Sequence, residues 1–181
     1  MDRGYMLRIM KSILIPLKIG SWRQWAASFL FGLCFLLLCT AGRAEEVKRT
    51  IAWAETFIAD AELSREGELP IVIFVTQQGC QFCAALRRHV LYPMIRAGEL
   101  TDKAIMREVS LDTGFTLQDF SGDEIAGKNF TNRYGAIVTP TLLFLDDDGT
   151  EVAEKMVGIS NIEFYGFYLL KSLESAREQL K

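Results

Sequence analysis

The chain has 181 residues, half of them apolar and about a quarter charged, with a formal net charge of −3. Residues 1–44 hold six basic residues and one acid, which leaves a body with 14 basic and 22 acidic residues, a net of −8. Such a body argues against nucleic-acid binding, which needs clustered Lys and Arg. Only Cys80 and Cys83 lie in it, so it is no disulfide-stapled mini-protein.

The first segment is uncharged from Ala26 to Gly42 and strongly apolar around Phe29-Leu30-Phe31 and Phe35 to Leu38. Basic residues precede it, and Ala41, Gly42 and Ala44 follow around Arg43. This is the pattern of a secretory signal, with cleavage expected after Ala44, so residues 1–44 are separated from a body at 45–181. The stretch before the apolar run is long, which leaves Met6 and Met10 open as true starts. The competing reading is an uncleaved anchor, although the run is short against the roughly 20 residues of a spanning helix. Either would place the body outside the cytoplasm. Lipid attachment at Cys39 is disfavoured by the bulky Leu38 before it.

Val47 to Leu63 reads as an amphipathic helix with Ile51, Ala54, Phe57, Ile58 and Ala61 on one face, broken at Glu66-Gly67-Glu68. Ile71 to Val75 is a short, β-branched, continuous apolar run, as expected of a strand buried on both faces. Thr76 to Gly79 is a loop. A helix is predicted from Cys80 to Tyr92, where Pro93 interrupts it and opens a short second piece. Ala104 to Leu111 reads as a strand, Asp112 to Gly122 as a polar connection, and Asp123 to Tyr134 as a helix ending near Gly135. Thr141 to Leu145 is a strand, Asp148-Gly149 a hairpin turn, and Glu151 to Val157 the returning strand. Ser160 to Lys181 is a terminal helix capped by Ser160 or Asn161. This order predicts an α/β domain whose mixed sheet carries helices on both faces.

Cys80 and Cys83, three apart on a helix, share a face and can close a small disulfide. Cys80 falls at the helix N-terminus, where free N–H groups and the helix dipole favour a thiolate. Cys83 lies one turn further in and is the natural resolving thiol. A lone C-x-x-C is also half of a zinc or copper site. A full zinc site needs two more ligands, and the chain has one histidine.

Three separated motifs resemble the thioredoxin superfamily from about Val47 to the C-terminus: Val72 to Val75 leading into Cys80-Gln81-Phe82-Cys83, Val138-Thr139-Pro140-Thr141, and Asp148-Gly149 with Val157-Gly158. The stretch from Cys83 to Pro93, the polar insertion and Thr-Pro-Thr look most like periplasmic thioredoxin-like proteins, including those encoded beside sulfur-oxidation enzymes. The resemblance implies a thioredoxin-like fold and a redox-active Cys80–Cys83 disulfide. It implies a cis peptide before Pro140 and a Thr139 backbone free to pair with an extended substrate, with Gln81 and Phe82 also at the substrate. It implies protein thiol or disulfide partners and a membrane or periplasmic thiol electron donor, with no bound organic cofactor and no resident metal. A monomer in the periplasm is expected. The alternatives left open are a copper or zinc carrier and a redox-silent binding module.

The sequence departs from the family at Gly79, where a tryptophan is usual, and at Phe74, where a buried carboxylate often stands. Water or another group must then serve the resolving thiol as proton acceptor. With no histidine between the cysteines, the reductase direction is favoured over the oxidase.

His89 is expected to pack or end a helix rather than relay protons, and Arg87 and Arg88 to be solvated. Asp146 to Asp148 read as a solvated hairpin tip. Phe164, Phe167 and Tyr168 are expected in the core, with a partner patch as the alternative. Gln118 to Thr131 is a polar insertion of open role.

Overall fold

A computed structural model describes residues 50–181; the expected signal or anchor and the junction at Ala44 lie outside the described residues. Strand β2 (Ile71–Thr76) is the centre. It pairs in parallel with β3 (Ile105–Ser110) and antiparallel with β6 (Thr141–Leu145). Outside these lie β1 (Ala52–Trp53), parallel to β3, and β7 (Glu151–Val157), antiparallel to β6. The sheet order is β1-β3-β2-β6-β7.

All six residues of β2 are buried, and their alternation feeds two cores. Val72 and Phe74 face the layer formed by α2 (Gln81–Leu86), α3 (Tyr92–Arg96) and α5 (Ile162–Gln179), packing with Leu86, Leu91, Leu169 and Leu173. Ile71, Ile73 and Val75 face α1 (Phe57–Gly67) and α4 (Gly127–Asn132), packing with Phe57 and Phe130. The expected α/β fold, a mixed sheet with helices on both faces, is the fold observed.

The first helix begins ten residues later than its periodicity suggests, at Phe57 rather than Val47. Ile51 and Ala54 are buried as expected, but around a short strand. Thr56, in extended conformation, accepts the Ile58 N–H and starts the helix there. Ile58, placed on the apolar face in the sequence, is exposed.

Pro93 does not break the redox helix. The segment Arg87–Leu91 widens into a π-turn, with the Tyr92 N–H donating to the Arg87 carbonyl, and α3 continues from it. Proline has no N–H and its ring crowds the carbonyl four residues back, so a turn with one extra residue accommodates it.

The helix expected over Asp123–Tyr134 is shorter. Strands β4 (Thr116–Gln118) and β5 (Glu124–Ala126) form a small hairpin, and α4 covers only Gly127–Asn132. The polar turn of this hairpin is organised by buried Asp119. Its carboxylate accepts from Ser121, from the Asp123 backbone and from Arg133. These bonds hold the Asp119 carboxyl down at about 2. Phe120 from the same turn stacks on Phe57 at 4.9 Å, so the insertion is anchored to the α1 layer.

On α5, Asn161 provides the cap, accepting the Glu163 N–H at 2.9 Å. The buried stripe is Tyr165, Leu169, Leu173 and Ala176. Phe164, Phe167 and Tyr168, expected in the core, are each more than half exposed. Phe164 and Phe167 lie on the far side of the helix from that stripe, and Tyr168 lies just outside its edge.

Candidate active site

Strand β2 ends at Thr76, and Gln77 to Gly79 turn the chain into α2. Asp112 fastens this turn by accepting the Gln78 N–H at 2.8 Å and the Ser110 hydroxyl at 2.7 Å. Gly79 has φ +72°, a conformation that favours glycine. Any side chain at that position would be strained, which accounts for the glycine ahead of the first cysteine.

Cys80 caps α2. Its Sγ accepts the Cys83 N–H at 3.0 Å, and its carbonyl accepts the Ala84 N–H. Cys80 and Cys83 are joined as a disulfide. Cys80 is partly exposed and Cys83 is fully buried in the core with Leu86 and Phe74. The two sulfurs therefore differ in access, and an incoming partner meets Cys80 first.

The Thr139–Pro140 peptide is cis. The Thr139 hydroxyl donates to Cys80 Sγ at 3.5 Å, which places the loop directly beside the disulfide. Thr141 pins the loop by donating to the Val138 carbonyl, and the Gly158 N–H donates to the Pro140 carbonyl at 2.8 Å. Gln81 and Phe82 are exposed at the start of α2. Cys80, Cys83, Thr139 and Pro140 are thus brought together, with Gln81 and Phe82 on the rim.

Two residues near the pair escaped the sequence reading. Glu108 stands on β3 directly across from Phe74 in the strand register and is buried. Arg87, expected in solvent, instead clamps it with two hydrogen bonds of 3.0 and 2.8 Å and donates to Thr76 at 3.0 Å. The guanidinium also lies over the Phe74 ring at 4.9 Å. Its hydrogen bonds to Glu108 raise the Arg87 pKa above its usual value. A carboxylate absent from β2 is thus present on the neighbouring strand. The signal was Arg107-Glu108 inside an otherwise apolar strand run. The second residue is Trp53, which with Gln77, Gln78, Arg87 and Asp112 lines a groove of about 570 Å³ beside Cys80.

His89 is exposed, within the π-turn Arg87–Leu91. The Asp146–Asp148 tip is a turn whose Asp146 carboxylate accepts the Asp148 and Thr150 N–H groups, while Asp147 pairs with Arg65. Among the described residues no three His, Cys, Asp or Glu side chains gather as a metal site.

Comparison with solved structures finds the same architecture. An oxidoreductase named DsbH aligns with 76% of this chain and 92% of its own, at 15% identity and a TM-score of 0.50. The C-terminal domain of DsbD from Neisseria meningitidis, in its oxidised form, aligns with 67% of this chain and 98% of its own, at 12% identity and a TM-score of 0.45. Thioredoxin f from spinach chloroplast covers 70% and 96%, at 18% identity and a TM-score of 0.45. No curated protein matches the sequence significantly. The profile of the Thioredoxin-like domain family matches residues 58–167, a span running from α1 through the redox pair and the cis-proline loop into α5, and the chain belongs to that family.

Proposed function

We propose that the protein is an exported thiol–disulfide oxidoreductase that reduces disulfides of periplasmic proteins. The observation that carries this reading is the asymmetric pair: a partly exposed Cys80 at a helix N-terminus, bonded to a buried Cys83 and touching the cis-proline loop.

In the reduced protein, the Cys80 thiolate attacks one sulfur of a substrate disulfide. The other substrate sulfur leaves as a thiolate and takes a proton. Cys83, deprotonated, then attacks Cys80 Sγ, and the second substrate sulfur departs. Two electrons pass to the substrate, and the Cys80–Cys83 disulfide of this structure remains. A thiol protein of lower potential, at the membrane or in the periplasm, must restore the dithiol. Thr139 and Pro140 would hold the substrate segment in extended form beside Cys80, with Gln81 and Phe82 at its edge.

The direction rests on the absence of a histidine between the cysteines. Export rests on the uncharged run from Ala26 to Gly42 behind basic residues, and on the resemblance to periplasmic thioredoxin-like proteins. Equilibrating the protein with glutathione or dithiothreitol tests the reading. A reduction potential near roughly −270 mV is expected, whereas one near roughly −120 mV would reverse the direction. Failure to form the disulfide would end the redox assignment.

A further inference from the structure

Gly79 leaves Cys80 without an aromatic neighbour ahead of it in the chain, and the aromatic surface on this flank comes from β1 instead. Trp53 pairs across to Glu108, and Glu108 to Phe74, so the three stand in one row of the sheet. The Trp53 ring leans on Phe115 at 5.5 Å with the two planes 51° apart, and the residue remains half exposed. Its open part lines the groove of about 570 Å³ whose other walls include Cys80, Arg87, Gln77, Gln78 and Asp112.

The charge in this groove is one-sided. Arg87 is the only cation among the lining residues, and both oxygens of the buried Glu108 carboxylate bind it. Exposed Asp112 has no such counter-charge. One of its carboxylate oxygens accepts from the Gln78 N–H and the Ser110 hydroxyl, and among the described residues the other has no hydrogen-bond partner. An open indole and an unneutralised carboxylate on one groove are the two contacts that a cationic side chain takes. The ring attracts the cation through its quadrupole, and the carboxylate attracts it by charge and hydrogen bonding. An anionic side chain meets repulsion from Asp112 there, because the charge of Arg87 is spent on Glu108.

We infer that the groove between Trp53 and Asp112 is a specificity subsite for a basic side chain, so that Cys80 acts preferentially on disulfides with a cationic group close to the attacked sulfur. The inference rests on the redox reading and names the substrate class of that same site. The occupant is a segment of a disulfide-bearing protein with lysine or arginine beside its reactive cysteine. Trp53 and Asp112 hold that side chain and take no part in the sulfur exchange itself.

The test uses the full chain, reduced beforehand and freed of reductant, with three small disulfides. Cystamine carries an ammonium on each half, hydroxyethyl disulfide is uncharged, and dithiodipropionate carries a carboxylate on each half. Each rate is divided by that of the same disulfide with dithiothreitol, which removes differences in intrinsic reactivity. At low salt cystamine is expected about tenfold ahead of hydroxyethyl disulfide, with dithiodipropionate behind both. That advantage should fall to about threefold or less in Trp53→Leu and in Asp112→Asn, which keeps an acceptor oxygen for the loop. Glu178→Gln removes an equal charge from the exposed surface of α5, outside the groove, and should leave the advantage intact. The advantage is a ratio within one protein, so a slow variant still reports it; should Asp112→Asn fold poorly, Trp53→Leu decides. Reduction of all three disulfides without preference overturns the subsite alone. An advantage that either variant keeps in full also overturns it, as does one that Glu178→Gln lowers as much as Asp112→Asn, since the net charge of the body would then be the cause. If none of the three is reduced, the redox reading falls and the subsite falls with it.

Discussion

The groove beside Cys80 and the exposed face of α5 are built in different ways. On the β3 side charged and polar groups are bonded within the chain, Arg87 to Glu108 and Thr76 and the Gln78 N–H to Asp112, while half-exposed Trp53 lies against Phe115 at 5.5 Å. On the α5 side Phe164 and Tyr168 stand more than half exposed, outside the buried stripe of their helix. The first has Arg87 and Glu108 paired within the chain, and of its large apolar side chains only Trp53 stays half exposed. The second leaves apolar area exposed, and exposed apolar area is where a partner gains affinity. Substitutions among the paired groups of the polar flank should therefore cost stability, and substitutions on the exposed face of α5 should not.

The sharpest way to break this contrast is Arg87→Met. It leaves the Glu108 carboxylate, whose side chain is 5% exposed, without its cation. Removing one member of a buried pair costs about 3 kcal/mol or more. We expect a fall of that size in unfolding free energy, read as a lower urea midpoint with an unchanged slope. The companion Phe164→Gln should stay within about 0.5 kcal/mol of wild type. Adding Glu108→Gln to Arg87→Met should restore part of the loss, because no buried charge is then left alone. A drop below about 1 kcal/mol for Arg87→Met would place the pair among ordinary surface salt bridges, and the polar flank would not be braced as described.

A second, smaller effect is expected where the hairpin insertion meets β3. Gly127 packs so closely against the Ser110 carbonyl that a Cβ would overlap it, and the same Cβ would sit 2.6 Å from Phe115. Phe115 in turn supports Trp53 in the polar groove. Gly127→Ala must push backbone apart, and overpacking of this kind costs about 2 kcal/mol. Thermal unfolding should register it, together with a change in Trp53 fluorescence. Unchanged fluorescence would mean that the hairpin does not support the groove.

How far all this could be read beforehand depended on the range of the interactions. The β2 run, the C-x-x-C helix start, the Thr-Pro loop and the Asp-Gly hairpin are local patterns, and each lies where the sequence put it. The β4 and β5 strands are three residues each, too short for alternation to show. Glu108 meets Arg87 across 21 positions, a pairing no local pattern reveals. The aromatic residues of α5 were readable in principle. Leu169, Leu173 and Ala176 fix the buried phase of the helix, and that phase selects Tyr165 while leaving Phe164, Phe167 and Tyr168 outside. Counting aromatics by mutual spacing, rather than against the aliphatic stripe, gave the wrong face.

The smallest effect concerns acid and the hairpin turn that carries Phe120. Two buried carboxylates on the α1 side respond to burial differently. Desolvation raises the Asp60 pKa despite its bonds to Arg107, whereas the bonds from Ser121, Arg133 and the Asp123 backbone lower that of Asp119 to about 2. Since the folded protein holds the Asp119 proton less tightly than the unfolded chain, the stabilisation is complete above the ordinary carboxylate pKa near 3.8. It fades as pH falls from there towards 2. Its size is at most about 2 kcal/mol, and less where half-exposed Arg133 shares its charge with water. Between pH 5 and pH 2 the wild-type protein should therefore lose more stability than Asp119→Asn, with the difference developing below pH 4. Parallel unfolding curves for the two proteins through that window would show that the hydrogen-bonded turn is not what holds Phe120 on Phe57. The anchoring of the polar insertion would then have to come from the aromatic stack alone.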